Sequence, residues 1–257
     1  MKKILLLILI SIFTITRLFS SGIIDIKKKL YNAYIIGNNS LWYELMSELE
    51  ESYKKTNNIF ILHELAKSQY GYIGMLIDRG EFEQAKPVLP KAEKNINKLL
   101  EYNENWTDVH GLKAGIYGFK IILYPNQVIL NGPKGKSYLN KASSQKELTP
   151  SVIVEMANYK YHTPSILGGN IDDAIEYYQY AIKLFELTGQ DKKNWQYINT
   201  LVWLAISYDK NRETTQAKRT LDKLLTLEPN FDWVKNNLYP KILQNESISK
   251  TYYSMSE

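Results

Sequence analysis

The chain has 257 residues, a formal net charge of +5 and no cysteine. The lack of cysteine excludes disulfides, thiol nucleophiles, thiolate metal sites and a lipid-anchored N-terminal cysteine. Lys2, Lys3 and Arg17 contribute three of the positive charges, so the rest of the chain is nearly balanced. Its lysines are scattered among acidic residues, with no basic stripe interleaved with aromatic residues, and nucleic acid is not an expected partner.

Residues 1–21 predict a secretory signal peptide. Two lysines precede an apolar stretch from Ile4 to Ile15, and Ser20, Ser21 and Gly22 form a small-residue patch behind it. The apolar stretch is shorter than the roughly 20 residues that a membrane-spanning helix needs. An uncleaved N-terminal anchor is the alternative, because leucine and phenylalanine rather than alanine precede the small residues. We therefore expect a periplasmic or secreted protein with no membrane span after removal of the signal.

Predicted helices begin directly after the presequence. Residues 24–36 and 40–55 have apolar residues at helical spacing and form a first pair. The stretch "LHELAKSQYGYIGMLIDRG" predicts the next helix, and "GEFEQAKPVLPKA" predicts its partner. The third pair is "WTDVHGLKAGIYGFKIILYP" with "GKSYLNKASSQKE". The first of these has Gly111, Ala114, Gly115 and Gly118 on one face, which favours close contact between helices.

The fourth pair contains a break in its helical pattern. The helix from Ser151 through "VIVEMANYKYH" stops at Thr163 and Pro164, and Gly168 follows in the loop. Aligned with the other pairs, this loop is about four residues longer than needed. Asn170 is predicted to cap the next helix, with two aspartates in the positively polarised first turn.

Three segments repeat one pattern of small and large residues. They are "GEFEQAKPVLPKA", "GNIDDAIEYYQYA" and "RETTQAKRTLDKLLTLEPN", and "LVWLAISYDKN" precedes the last of them. The repeated or associated positions are Gly80, Ala85, Ala92, Gly169, Ala174, Ala181, Ala205, Tyr208, Ala217 and Pro229. A small side chain at such a position lets two antiparallel helices approach closely, and only the next pair can bury the face that remains.

This pattern resembles the tetratricopeptide repeat (TPR), a unit of two antiparallel helices of about 34 residues. The resemblance implies an all-α, right-handed superhelical solenoid over residues 22–243. It would contain about five TPR-like helix pairs and a capping helix formed by "FDWVKNNLYPKIL". Residues 244–257 are predicted to be a flexible tail.

The resemblance also implies a concave groove lined by the first helix of each pair, suited to a peptide or a partner helix. Repeat alignment directs a mixed polar, aromatic and apolar set into this groove: Lys67, Tyr70, Glu155, Tyr159, His162, Asn199, Val202, Ile206 and Asp209. Tyr159 has a second interpretation, as a core residue under the next pair. We expect an exported, non-enzymatic scaffold that binds a protein or peptide partner in the cell envelope.

A second class is a subunit of a solute transport system. The C-terminal half is similar, more loosely, to the TPR accessory component of periplasmic TRAP-type transporters. That similarity implies contact with a solute-binding protein or a small ligand, although the chain lacks a lipoprotein cysteine. A buried polar pocket would favour this alternative, and an open, continuous groove would favour the scaffold.

Candidate chemical motifs are weak. The stretch "GPKGKS" ends like a phosphate-binding loop, but Leu130 stands where that motif needs its first glycine, and Pro133 lacks an N–H donor. His63, His110 and His162 do not have metal-ligand spacing. No motif assembles a nucleophile, a base and an orienting acid. We expect no catalytic residue, no metal and no cofactor.

Overall fold

The computed structural model describes residues 22–249 and shows an all-α helical-repeat solenoid. Consecutive helices form five pairs: α1 (22–35) with α2 (Asn39–Thr56), α3 (Ile59–Asp78) with α4 (Phe82–Ala85) and α5 (Leu89–Tyr102), α6 (Thr107–Leu123) with α7 (Val128–Ser143), α8 (Pro150–His162) with α9 (Ile171–Leu187), and α10 (Trp195–Lys210) with α11 (Thr214–Leu227). A π-helical turn (Val234–Leu238) and α12 (Tyr239–Leu243) follow. No β-strand occurs within residues 22–249. The signal peptide prediction lies outside the described residues.

Small buried residues lie where the repeat pattern places them. A set of alanines in the second helix of three pairs, and one in α10, is fully buried: Ala85, Ala92, Ala174, Ala181, Ala205 and Ala217. Tyr208 is also buried. Pro229 lies two residues beyond the end of α11, as expected for a residue that lacks a backbone N–H and disfavours helix in its neighbour.

The second helix of the second pair is broken. The stretch predicted as one helix forms the single turn α4 and then α5, with three residues of turn between them. Pro87 lies in this turn, where its ring would clash with the carbonyl of the residue four positions earlier in a continuous helix. Pro90 lies in the first turn of α5, where a missing N–H is tolerated.

The long loop of the fourth pair is ordered by local hydrogen bonds. Ser165–Leu167 form a 3₁₀ turn, and Gly168 has a φ of +101°. A Cβ atom on Gly169 would lie 1.7 Å from the Thr163 carbonyl oxygen, so this position requires glycine. The Asn170 side chain accepts hydrogen bonds from the N–H groups of residues 172 and 173, which confirms it as the cap of α9.

The last pair packs against the first, so the solenoid closes on itself. The Tyr31 hydroxyl donates a hydrogen bond to Glu228, and the Tyr34 hydroxyl donates one to Asn199 Oδ1 at 2.8 Å. Trp195, at the start of α10, has its ring centroid 5.4 Å from that of Trp42 in α2. A Cβ atom on Gly71 of α3 would lie 2.7 Å from the Trp195 ring, so the C-terminal pair contacts α1 and α3, the first helices of the first two pairs, and fills their concave side.

The C-terminal helical segment covers the end of the array. Phe231, Val234 and Leu238 have no solvent exposure, as expected for a cap on the last apolar face. Within the start of the predicted flexible tail, residues 244–246 are exposed, whereas Ile248 is fully buried. Residues 250–257 of that tail lie outside the described residues.

Candidate binding surface

A polar cavity opens where the first helices of four pairs converge. Its lining residues come from α3, α6, α8 and the start of α10: His63, Lys67, Asp108, Leu112, Ser151, Glu155 and Gln196. Lys67 and Glu155 were predicted to line the groove, and the fold brings them together. The cavity measures about 10 Å³, which is room for about one water molecule.

Below this cavity, a chain of hydrogen bonds links three helices. Tyr178 of α9 donates to Asn158 Oδ1 at 2.7 Å, and Asn158 Nδ2 donates to Glu155 Oε2 at 3.3 Å. The Tyr70 hydroxyl also hydrogen-bonds to Glu155. Gly115 of α6 lies under both partners, since a Cβ there would be 2.5 Å from the Tyr70 ring and 2.8 Å from the Glu155 carboxylate. Tyr70 and Glu155 thus belong to an internal polar network rather than to an open groove.

Burial shifts the pKa values of two groups at the cavity. It raises the pKa of Glu155 to about 7, because the hydrogen bonds from Tyr70 and Asn158 only partly offset the loss of solvation. Burial, followed by the nearby Lys67 ammonium, lowers the pKa of His63 to about 4. The neutral His63 ring stacks on Trp106 with centroids 4.8 Å apart. Its Nε2 atom is buried and has no hydrogen-bond partner among the described residues.

The predicted groove stripe of α10 is buried in its middle and half-buried at Asn199 and Asp209. Asn199 accepts the hydrogen bond from Tyr34 of α1. Val202 and Ile206 have no solvent exposure, so the prediction that they line an accessible groove is wrong. Asp209 Oδ2 accepts hydrogen bonds from the Ser247 hydroxyl at 2.7 Å and from the Ser249 N–H at 2.9 Å.

Tyr159 and His162 lie near the end of α8, away from the polar cavity's lining. Tyr159 is half-buried, and its hydroxyl donates to the Leu167 carbonyl of the inserted loop at 3.3 Å. His162 is exposed at the last turn, with its ring centroid 5.2 Å from that of Trp203. The Tyr159 hydroxyl therefore helps to hold the inserted loop in place.

Several cavity residues were not predicted from the sequence. His63 precedes Lys67 by one helical turn, and Ser151 precedes Glu155 by the same interval, so extending each predicted face by one turn would have found them. Asp108 and Leu112 lie on α6, whose groove face the repeat pattern did not define. Gln196 lies in the first turn of α10, where the packing of the last pair onto the first brings it to the cavity.

These observations define a helical-repeat protein with a filled concave face. Residues 200–230, which span most of α10 and all of α11, match the family model described as tetratricopeptide repeat, and this match supports a TPR-type protein. No curated protein and no solved structure gave a significant match to the chain.

Membrane-spanning helices and metal-binding clusters are both absent from residues 22–249. Within residues 22–249, no helix has both the length and the apolar character needed to cross a membrane. The same part of the chain has no group of three or more His, Asp or Glu side chains placed to hold a metal ion.

Proposed function

We propose that the protein is an exported, non-enzymatic TPR scaffold that binds a protein or peptide partner on the first helices of its repeats. The repeat match supports this class, since TPR domains generally mediate protein–protein interactions. The order of lysines, apolar stretch and small residues in positions 1–22 supports export to the cell envelope.

One observation carries the proposal. The groove residue Asp209 holds a bent stretch of the chain itself, through the backbone N–H of Ser249 and the hydroxyl of Ser247. A carboxylate that accepts both a backbone N–H and a side-chain hydroxyl can hold a peptide segment at a helix surface. This face of the repeat is therefore chemically able to hold a peptide.

The transport-accessory alternative has less support. A small ligand needs an enclosing pocket, but the cavity at Lys67 and Glu155 measures only about 10 Å³, and a larger depression of about 550 Å³ along α7, lined by Lys136 and Asn140 among others, is wide open to solvent. Contact with a solute-binding protein needs no such pocket, and it is one outcome of the experiment below.

The test is affinity capture of the protein from its own envelope fraction, with mass spectrometry of the retained proteins. The variant Asp209→Ala removes the acceptor that holds the peptide stretch, and Glu101→Ala removes an exposed carboxylate of α5. We expect wild type and Glu101→Ala to retain the same partner, and Asp209→Ala to retain less of it. Recovery of a solute-binding protein would favour the alternative, and retention of no partner by any form would contradict the scaffold.

A further inference from the structure

We infer that the Asp209 end of α10 is a peptide-docking site that residues 247–249 occupy in cis, and that a partner segment of similar chemistry displaces them. This inference rests on the proposed function, and it names the partner class and the means of regulation. The partner segment bends as residues 247–249 do, and it has an aliphatic residue between two small residues that offer hydrogen-bond donors.

The contacts of the docked segment define what the site recognises. Asp209 Oδ2 accepts from the Ser247 hydroxyl and the Ser249 N–H, so one carboxylate oxygen binds two donors two residues apart. The Ser247 and Ser249 hydroxyls are 2.9 Å apart. Ile248 lies between them with no solvent exposure and belongs to the main apolar core. The site thus combines an acceptor for main-chain and hydroxyl donors with a pocket for one aliphatic side chain.

The charge of Asp209 sets the class of partner. A carboxylate at neutral pH only accepts hydrogen bonds, so a ligand must bring N–H or O–H groups to it. A ligand that presented its own carboxylate there would be repelled. The site therefore selects a donor-rich internal segment and rejects an acidic peptide end.

The segment can leave without dismantling the repeat. In the six residues 244–249, Ile248 is the single apolar side chain, and the other five are Gln, Asn, Glu and two Ser. The contacts of α11 with the π-helical turn and with α12 involve other residues. Regions with few buried apolar contacts open at low free-energy cost, so we expect the segment to exchange with a competing peptide.

The experiment measures binding of a labelled synthetic peptide to the full chain by fluorescence anisotropy. The peptide has the sequence QNESISKT of residues 244–251. Ile248→Asp places a charge in the apolar pocket and should expel the cis segment. We expect the peptide to bind Ile248→Asp at least about tenfold more tightly than wild type, since a short tether holds the cis segment at an effective concentration of roughly 1 mM. A peptide with Asp in place of Ile should not bind.

Matched variants assign the binding to Asp209. Adding Asp209→Ala to Ile248→Asp should weaken peptide binding at least about tenfold, in line with the loss of two hydrogen bonds to a charged acceptor. Adding Glu101→Ala, which removes an exposed carboxylate on α5, should leave it unchanged. Should Ile248→Asp fail to fold, Ser249→Pro removes the donated N–H while keeping the isoleucine, and it should also increase binding of the peptide.

Three results would overturn the inference. One is equal affinity for the peptide in wild type and in Ile248→Asp, when a cooperative thermal melt shows that the variant is folded. Another is that the folded variant does not bind the peptide at about 1 mM, which is the effective concentration of the tethered segment in wild type. The third is light scattering that shows an oligomeric wild type and a monomeric Ile248→Asp, because the segment would then dock on a second copy.

The outcomes separate this inference from the proposed function. If wild type and Ile248→Asp capture an envelope partner equally well, the scaffold stands and cis occupation of its binding site fails. If the peptide binds as expected but no envelope protein is captured, the docking site stands and the scaffold fails.

Discussion

Gly115 has the closest neighbours of the three glycines in α6 and lies under Tyr70 of α3 and Glu155 of α8. A methyl group there would overlap both side chains, so we expect Gly115→Ala to lower the free energy of unfolding by about 1–3 kcal/mol. Gly118, on the same helix, is the matched control, since a Cβ there would meet no atom within 4 Å. Gly118→Ala should be neutral or stabilising by up to about 1 kcal/mol. Equal effects of the two substitutions in urea unfolding would contradict the packing of α6.

The buried carboxyl of Glu155 makes stability depend on pH. Its pKa is about 7 in the folded protein and near 4.5 when exposed, so between these values the folded state holds more protons than the unfolded state. The contribution of Glu155 to the free energy of unfolding is therefore largest below about pH 4.5 and decreases as the pH rises to about 7.

Glu155→Gln should remove this part of the pH dependence. We expect wild type and variant to be similarly stable at pH 5, and the variant to be more stable at pH 8 by up to about 3 kcal/mol, the free energy of the full pKa shift. Thermal melts at both pH values measure the difference. A variant that is less stable than wild type at pH 8 would show that the ionised carboxylate is favourable in the network.

At the scale of single elements, α9 depends on a small side chain where it enters the core. Ala174 is fully buried in the first turns of α9, the helix that packs against α8. Ala174→Asp adds volume and an unpaired charge there, and it should destabilise the protein by about 3 kcal/mol or more. Lys183→Asp, at an exposed position of the same helix, should change stability by no more than about 0.5 kcal/mol. Coincident melts of Ala174→Asp and wild type would rule out a close contact at this alanine.

Local sequence signals predicted the elements well where the responsible groups are neighbours in the chain. Asn170 and the two aspartates behind it define the start of α9 without help from distant residues. Pro87 also acts locally, but the repeat pattern of Gly80, Ala85 and Ala92 runs through it, so the break between α4 and α5 was not predicted. In that pair the backbone cost of proline prevailed over the repeat pattern.

At the scale of the whole molecule, closure of the solenoid decides which surfaces are accessible. The hydrogen bond between Tyr34 and Asn199 joins residues 165 positions apart in the chain. Such a contact depends on a small rotation per repeat accumulated over five helix pairs, which no short stretch of sequence specifies. The sequence therefore predicted that Asn199, Val202 and Ile206 share one face of α10, but not that the chain itself covers that face.

The most direct test of closure joins the first pair to the C-terminal helical segment by a disulfide. A Cβ atom on Gly37 would lie 3.9 Å from Asp232 Cβ, within the range of about 3.5–4.5 Å that disulfides need. The natural chain has no cysteine, so Gly37→Cys with Asp232→Cys supplies the only thiols. Gly37 has a φ of +67°, so a side chain there costs about 1–2 kcal/mol of strain. The control pair, Gly37→Cys with Lys136→Cys, carries the same strain.

Lys136 lies on α7, a helix that packs mainly against α6 and α8. Mild oxidation at low protein concentration, followed by non-reducing electrophoresis and peptide mass spectrometry, reports whether each pair has formed an internal disulfide. The closed solenoid predicts an intramolecular disulfide between positions 37 and 232, and free thiols in the control pair. Free thiols at 37 and 232 in a folded protein would instead indicate an open array and contradict the closed concave face.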